Sequence, residues 1–168
     1  MTLSMYQASV PVFIRGLENL TTILNKGAAH AEAKKIDPAV FVNARLAPDM
    51  FALARQVQIA SDAAKGCAAR LAGAEAPSYP DTEATFPELL ARVAKTIAFL
   101  KSFTAAQIDG SEERAVTLKL RGQDTTFRGQ AFLFNLALPN FYFHVTTTYD
   151  ILRHNGVELG KGDYLGSL

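Results

Sequence analysis

The polar residues best suited to chemistry lie in a stretch that is otherwise apolar. From Gly129 to Tyr149 the chain has no Asp, Glu, Lys or Arg, yet it contains Asn140, His144 and Thr148. Residues four apart lie on the same face of an α-helix, so this spacing predicts a polar seam along one helix. A neutral imidazole in such a seam can bind a metal, accept a proton or accept a hydrogen bond.

One interpretation makes His144 a ligand of a divalent metal. The other ligands would come from Asp49, Gln56 or Asp62, since imidazole, amide and carboxylate groups all bind divalent ions. No sequence pattern makes the metal certain, and the same imidazole fits two other roles.

In those roles His144 either lines a cleft that binds a small molecule or is a core residue. The cleft would include Gln56 and Tyr149. A core histidine would instead be hydrogen-bonded to Asn140, Thr148 or a glutamine of the second long helix, because a buried polar group needs a partner. The catalytic residues, if the chain is an enzyme, are unknown from sequence.

Two further residues have plainer explanations than catalysis. Cys67 lies among alanines without a cationic neighbour on its helical face to lower its thiol pKa, so helix packing explains it best. His154 falls in the last turn of a predicted helix, where a positive charge interacts favourably with the helix dipole.

Long helices are predicted to position these residues. Apolar residues at steps of three and four predict a first helix over Ser4–Lys26, closed by Gly27. Pro11 inside this pattern predicts either a kink near residues 7–10 or a helix that starts close to the proline. Asp37-Pro38 is typical of the start of a short helix. A second long helix is predicted over Pro48–Gly73, and the small residues in its second half favour close packing against another helix.

A surface crossover is predicted to follow, over residues 74–85, because it contains two prolines and several hydroxyl and acidic residues. Thr85 and Glu88 have the spacing of a capping box at the start of a third helix. That helix is predicted over Phe86–Ala105, with Arg92 on the solvent side.

A small β-hairpin is predicted at about residues 114–128, from alternating apolar residues on either side of an Arg-Gly-Gln-Asp turn. The fourth long helix is predicted to follow, distorted by Pro139 and ended by Gly156. The C-terminal tail, residues 157–168, is expected to dock on the bundle or on a partner subunit through Tyr164 and Leu165.

These elements predict an all-α fold: a four-helix bundle with a β-hairpin between the third and fourth long helices. The chain of 168 residues is predicted to form a single domain, residues 1–168. A helix without charged residues must be covered on most sides, by the rest of the bundle or by a second copy of the chain. The sequence therefore predicts a homodimer as well.

Composition argues against several classes of partner. The 17 basic and 16 acidic residues are not clustered, whereas nucleic-acid binders normally have a basic patch. Gln130, Asn135 and Pro139 argue against a membrane-spanning fourth helix. A single cysteine, Cys67, and the absence of a leader-like pattern in Met1–Leu20 predict a cytoplasmic protein.

Two long motifs resemble those of a known bacterial family. The stretches LAPDMFALARQVQIASDAAKGCAARLAG and ALPNFYFHVTTTYDILRHNGVELGKGDYLG are similar to a domain of unknown function within the DinB/YfiT-like superfamily of proposed metalloenzymes. This resemblance extends over nearly the whole chain. It implies a four-helix bundle, often dimeric, that binds a divalent metal through three histidines, and in some members acts on low-molecular-weight thiols.

Transferred residue by residue, the resemblance assigns His144 to the first histidine of the fourth-helix pair. The position of the second is Thr148 in this chain. The second-helix ligand falls near Gln56 or Gln58, and that helix contains no histidine. The chain thus departs from the superfamily pattern at two of its three ligands.

Three functions follow as hypotheses. The first is an uncharacterised protein that binds a small molecule in the bundle cleft near His144. The second is a structural or interaction homodimer without a ligand. The third is a metal-dependent enzyme similar to the thiol transferases, with a degenerate ligand set and His144 as the possible metal ligand.

Overall fold

A computed structural model describes residues 3–167 and confirms the predicted four-helix bundle with its hairpin. The long helices are α1 (Val10–Lys34), α3 (Leu53–Ala72), α4 (Phe86–Lys101) and α7 (Leu138–His154). The short ones are α2 (Pro38–Val42), α5 (Ala105–Ile108), α6 (Gly129–Phe132) and α8 (Lys161–Leu165). None of the helices within residues 3–167 combines the length and apolar character needed to cross a bilayer.

The first helix begins close to Pro11, one of the two outcomes predicted for that proline, and it ends later than predicted. It starts at Val10, with Pro11 in its first turn, where a missing N–H costs nothing. It continues through Gly27, so the prediction that this glycine ends the helix is wrong. A Cβ at Gly27 would lie 3.1 Å from both methyl carbons of Leu152, which shows that the glycine permits close packing of α1 on α7.

The second long helix, α3, begins at Leu53 and not at Pro48 as predicted. Residues 43–52 form an irregular connection, and the Leu53 N–H donates to the carbonyl of Ala44 across it. The helix ends as predicted at Gly73, whose φ of 69° suits a residue without a side chain. Cys67 is fully buried on α3, and burial raises the pKa of its thiol to about 12.

The capping box of α4 is confirmed, since the Thr85 hydroxyl and the Glu88 carboxylate bind each other's backbone N–H groups. The predicted exposure of Arg92 is wrong. Its guanidinium is buried and forms ion pairs with Asp62, Asp81 and Glu83 at 3.0 Å each, so it ties the crossover to the bundle. The helix also ends at Lys101, four residues earlier than predicted.

The hairpin consists of β1 (Ala115–Leu120) and β2 (Gln123–Arg128), paired antiparallel with Val116 opposite Phe127. Positive φ angles at Arg121 and Gly122, 50° and 83°, form the tight turn. Val116 is buried in the bundle core, so the hairpin packs on the helices.

The fourth helical segment is continuous but changes its winding before Pro139. Five residues, Leu133–Ala137, form a π-helical segment between α6 and α7. A proline removes one backbone donor and its ring crowds the preceding turn, and a wider π turn relieves both. The predicted distortion thus takes the form of a π segment. Gly156, with a φ of 89°, follows the helix end as predicted.

The C-terminal segment docks on α1 of the same chain. Asn19 donates a hydrogen bond to the carbonyl of Tyr164 and Arg15 donates one to that of Leu165, each at 2.9 Å. Lys26 pairs with Asp163 at 2.6 Å. These contacts hold α8 beside α1 and α7.

Candidate functional site

His144 lies on α7 at its contact with α3, and only 7% of the residue is exposed. Its Nδ1 is 2.6 Å from Oε1 of Gln56, which lies on α3 and is itself buried. These two of the predicted site residues are therefore brought together. The other glutamine considered from sequence, Gln58, instead donates to Glu83 and accepts from Arg55.

The hydrogen bonds of Gln56 determine which nitrogen of His144 bears the proton. Nε2 of Gln56 donates to the carbonyl of Phe51 at 3.0 Å, which directs Oε1 toward His144. An amide oxygen can only accept, so Nδ1 of the imidazole must be the donor. Nε2 of His144 then has an unprotonated lone pair.

The environment of His144 keeps the ring neutral. Burial lowers the pKa of the imidazole to about 4, and the positive charge of Arg55 acts in the same direction. At neutral pH the group is thus a hydrogen-bond acceptor or a proton acceptor at Nε2, and not a cation.

One aromatic ring borders this imidazole, and Phe51 contacts its glutamine partner through the backbone. The rings of Phe143 and His144 are nearly perpendicular, with centroids 5.2 Å apart, and Phe143 is also exposed to solvent. Phe51, whose carbonyl orients Gln56, is exposed, and the Arg55 guanidinium carbon lies 5.9 Å from the centre of its ring. The sequence interpretation missed Phe51, Arg55 and Phe143, although the isolated aromatic Phe51 just before the helix was the available signal.

Thr148 uses its hydroxyl within its own helix. It is fully buried and donates to the carbonyl of His144 at 2.9 Å, the usual back-bond of a helical threonine. Thr148 therefore lies next to His144 along the helix, but its hydroxyl is already used as a donor.

Asn140 and Tyr149 lie apart from the histidine–glutamine pair. Asn140 is half-buried and lines a separate 240 Å³ cavity between α3, α7 and the hairpin, together with Asp62. Tyr149 packs edge-on against Tyr164 of α8, with ring centroids 6.2 Å apart. The single seam expected from spacing is thus divided among different neighbours.

The residues present do not fit the divalent metal of the superfamily. Within residues 3–167, no three His, Cys, Asp or Glu side chains are grouped as metal ligands. Asp62 is paired with Lys65 and Arg92, and Asp49 is exposed on the connection before α3. Oε1 of Gln56 is occupied by the Nδ1 proton of His144, so Nε2 of His144 remains as a single imidazole donor with no further ligands grouped around it among residues 3–167.

Comparisons with known proteins agree with this fold. A family model described as a domain of unknown function, DUF1993, matches residues 5–165. Among solved structures, a DinB family member from Shewanella denitrificans is 44% identical, with a TM-score of 0.89 over 97% of this chain and 92% of that one. The comparison with curated proteins gives no match.

Proposed function

The chain belongs to the DUF1993 family of DinB-like proteins, and we propose that it binds a small molecule through Nε2 of His144. The hydrogen-bond chain from His144 through Gln56 to the Phe51 carbonyl is the observation on which this proposal rests. That chain fixes one tautomer and leaves one ring nitrogen as an acceptor of defined direction.

The state of Nε2 supports a ligand more than a purely structural role. No hydrogen bond to this nitrogen is formed by any residue from 3 to 167, whereas Nδ1 has a short one. A polar atom in a mostly buried ring needs a partner, from water or from a bound molecule.

The surroundings indicate the kind of molecule. A ligand would donate an O–H, N–H or S–H group to Nε2 and place an apolar part against the exposed ring of Phe143, which adjoins the imidazole. Because the imidazole is neutral, it does not select for anions. A hydroxylated or thiol-bearing aromatic compound fits these requirements.

Fluorine NMR with 4-fluorophenol tests this proposal. Replacing His144 with asparagine keeps an N–H donor toward Gln56 but removes Nε2, so we expect binding to weaken by about tenfold, the equivalent of one hydrogen bond of about 1.4 kcal/mol. The His154→Asn variant is the matched control and should bind like the wild type.

The comparison compound is 4-fluoroanisole, which has no O–H donor and should bind the wild type weakly. Equal affinity of 4-fluorophenol for the wild type and His144→Asn would refute a role for Nε2. Absence of saturable binding to the wild type would refute the proposed site for this class of compound.

A second proposal, of a homodimer without a ligand at His144, is the alternative to the first because it would bury Phe143. It is supported by the exposed aromatic residues of the fourth helical segment. Phe134, Tyr142 and Phe143 are 43%, 39% and 56% exposed, so three large aromatic side chains of one uncharged segment are open to solvent. No charged residue occurs between Gly129 and Tyr149. In an interface with twofold symmetry each residue can face its own copy, and an uncharged face avoids like-charge repulsion.

Sedimentation velocity tests the dimer. We expect the wild type to sediment as a dimer and Phe143→Asp as a monomer, because the substitution introduces like charges into a desolvated interface. Val40→Asp, at a side chain 57% exposed on α2, is the control and should remain dimeric. A monomeric wild type at about 100 μM, a concentration well above the Kd of a stable dimer, would refute the proposal.

A further inference from the structure

A second cavity lies on the opposite side of α7 from the His144–Gln56 pair, where α1, α7 and α8 meet. Its volume is 370 Å³, within the range of about 300 to 1,000 Å³ that is typical of ligand sites. The floor is apolar, made by Val12, Gly16 and Val145. The rim is polar, and its residues are Arg15, Asn19, Tyr142 and Tyr164.

The positive charge at this rim is not neutralised within the described chain. Arg15 donates one hydrogen bond, from Nη2 to the carbonyl of Leu165 at 2.9 Å. No carboxylate of residues 3–167 forms an ion pair with it. A guanidinium has five N–H donors in a planar fork, so most of its donors stay available for a planar anion.

Two phenols complete the polar rim. The hydroxyl of Tyr164 accepts a hydrogen bond from Thr146 at 2.9 Å, which leaves its own proton free to be donated. Burial raises the pKa of Tyr142, and the neighbouring phenol of Tyr164 raises it further, while Arg15 opposes the shift. Tyr142 is thus a protonated donor at neutral pH, and it lies close to Tyr164 and Arg15.

The walls of this cavity are held in place by independent contacts. Asn19 binds the backbone of Tyr164, and Lys26 pairs with Asp163, so α8 is fixed without Arg15. On the floor, a Cβ at Gly16 would lie 2.5 Å from the Phe141 ring, and the glycine lets α1 and α7 approach there. The cavity is therefore defined by the packing of three helices.

We propose that this cavity binds a small organic carboxylate. The carboxylate is bound by the Arg15 guanidinium and by the hydroxyls of Tyr142 and Tyr164, and the apolar body of the ligand packs on Val12 and Val145. Arginine with phenol donors is selective for carboxylates, since the guanidinium fork matches their two oxygens. The site is independent of His144 and of the function proposed for it.

The probe for this site is 4-fluorobenzoate, titrated by fluorine NMR at one fixed protein concentration so that the oligomeric state does not vary. We expect Arg15→Gln to weaken binding about tenfold or more, as loss of a charge-assisted hydrogen bond does. The Tyr142 hydroxyl forms no hydrogen bond with any residue from 3 to 167, so Tyr142→Phe should weaken binding about threefold to tenfold without disturbing the fold. Val12→Phe fills the cavity and should abolish binding.

Arg45→Gln is the matched control, because Arg45 likewise donates one hydrogen bond to a backbone carbonyl, that of Met50 at 3.3 Å. It should bind 4-fluorobenzoate like the wild type. The uncharged 4-fluorobenzamide should bind the wild type more weakly than the carboxylate and should not respond to Arg15→Gln.

Three results would overturn the proposal. The first is no saturable binding of 4-fluorobenzoate to the wild type up to about 20 mM, beyond the millimolar range of weak ligands. The second is unchanged affinity in Tyr142→Phe and Val12→Phe, which would mean that any effect of Arg15→Gln arises from a displaced α8. The third is equal weakening in Arg45→Gln, which would indicate non-specific attraction of the anion.

Discussion

At the scale of single residues, neutralisation of His144 links the site to stability. The pKa of its imidazole is about 4 in the folded chain, against an ordinary value of 6.5. Between these values the unfolded chain binds more protons than the folded one, so acid favours unfolding. The folded state thus favours the neutral imidazole, which donates to Gln56 through Nδ1, and protonation of the buried ring lowers the free energy of unfolding.

We therefore predict that the contribution of His144 to the free energy of unfolding decreases as pH falls from about 6.5 to about 4 and levels off below that. The contribution fully present above pH 6.5 is roughly 3 kcal/mol, since each pKa unit corresponds to about 1.4 kcal/mol. Urea denaturation of the wild type and His144→Asn across this range measures it. A wild-type-minus-variant difference that is independent of pH would contradict the prediction.

The sequence was informative about this pair but not about its neighbours. A histidine four residues from other polar groups, in an uncharged stretch, indicated His144, and the family resemblance pointed to Gln56 or Gln58. The choice between the glutamines depends on the rotation of α3, which is fixed by packing. The backbone carbonyl of Phe51 has no sequence signature at all, because every residue has one.

At the scale of elements, two glycines of α1 show that a helix–helix contact cannot be recognised from the residue type alone. Gly27 resembles a helix-ending residue, yet it lies inside α1 because Leu152 and Phe86 pack against its bare backbone. Gly16 has the same role against Phe141. A glycine that ends a helix and one that admits a neighbouring helix are identical in sequence, so only the packing partner distinguishes them.

For α1 we predict that Gly16→Ala destabilises the protein by about 1 to 2 kcal/mol. The new methyl would lie 2.5 Å from the buried Phe141 ring, so the overpacking cost should fall in the upper part of the usual range, about 2 to 3 kcal/mol. This cost outweighs the roughly 1 kcal/mol gained in helix propensity. Gly162→Ala in α8 is the matched control, since nothing lies within 4 Å of an added Cβ there. Thermal or urea denaturation should show no loss for that variant, and an equally stable Gly16→Ala would contradict the argument.

Local signals predicted some element ends well. The capping box of Thr85 and Glu88, the Asp37 cap, the turn of the hairpin and the final Gly156 all depend on residues near in sequence, and all were confirmed. The burial of Arg92 was missed because its carboxylate partners come from α3 and the crossover. An ion pair with residues distant in sequence does not change the hydrophobic periodicity of the helix, so the helix pattern alone does not predict it.

At the scale of the whole molecule, four helices surround one core, and the two candidate sites lie on different faces of α7. His144 is directed to α3, whereas the carboxylate cavity lies between α1, α7 and α8. The hydrophobic pattern predicted the bundle because each helix buries one apolar stripe. It did not predict the docked position of α8, which is set by hydrogen bonds from α1 to backbone carbonyls.

Because Cys67 is buried, its rate of reaction with a thiol reagent can be used to measure local or global unfolding of the protein. It is the sole cysteine, it is fully buried, and burial raises the pKa of its thiol to about 12. A thiol reagent such as a disulfide dye should label the native protein at least about a thousandfold more slowly than the chain in denaturant, given a typical stability of 5 kcal/mol or more. Labelling at the denatured rate would contradict this expectation.

When reclosing is faster than the chemical step, the labelling rate measures the population of molecules in which α3 is exposed. The same assay applied to a ligand-bound sample would report stabilisation of the bundle without any tag or dye attached beforehand. The labelling rate of this one cysteine thus measures how often the protein interior opens, and the rate in denaturant serves as the reference.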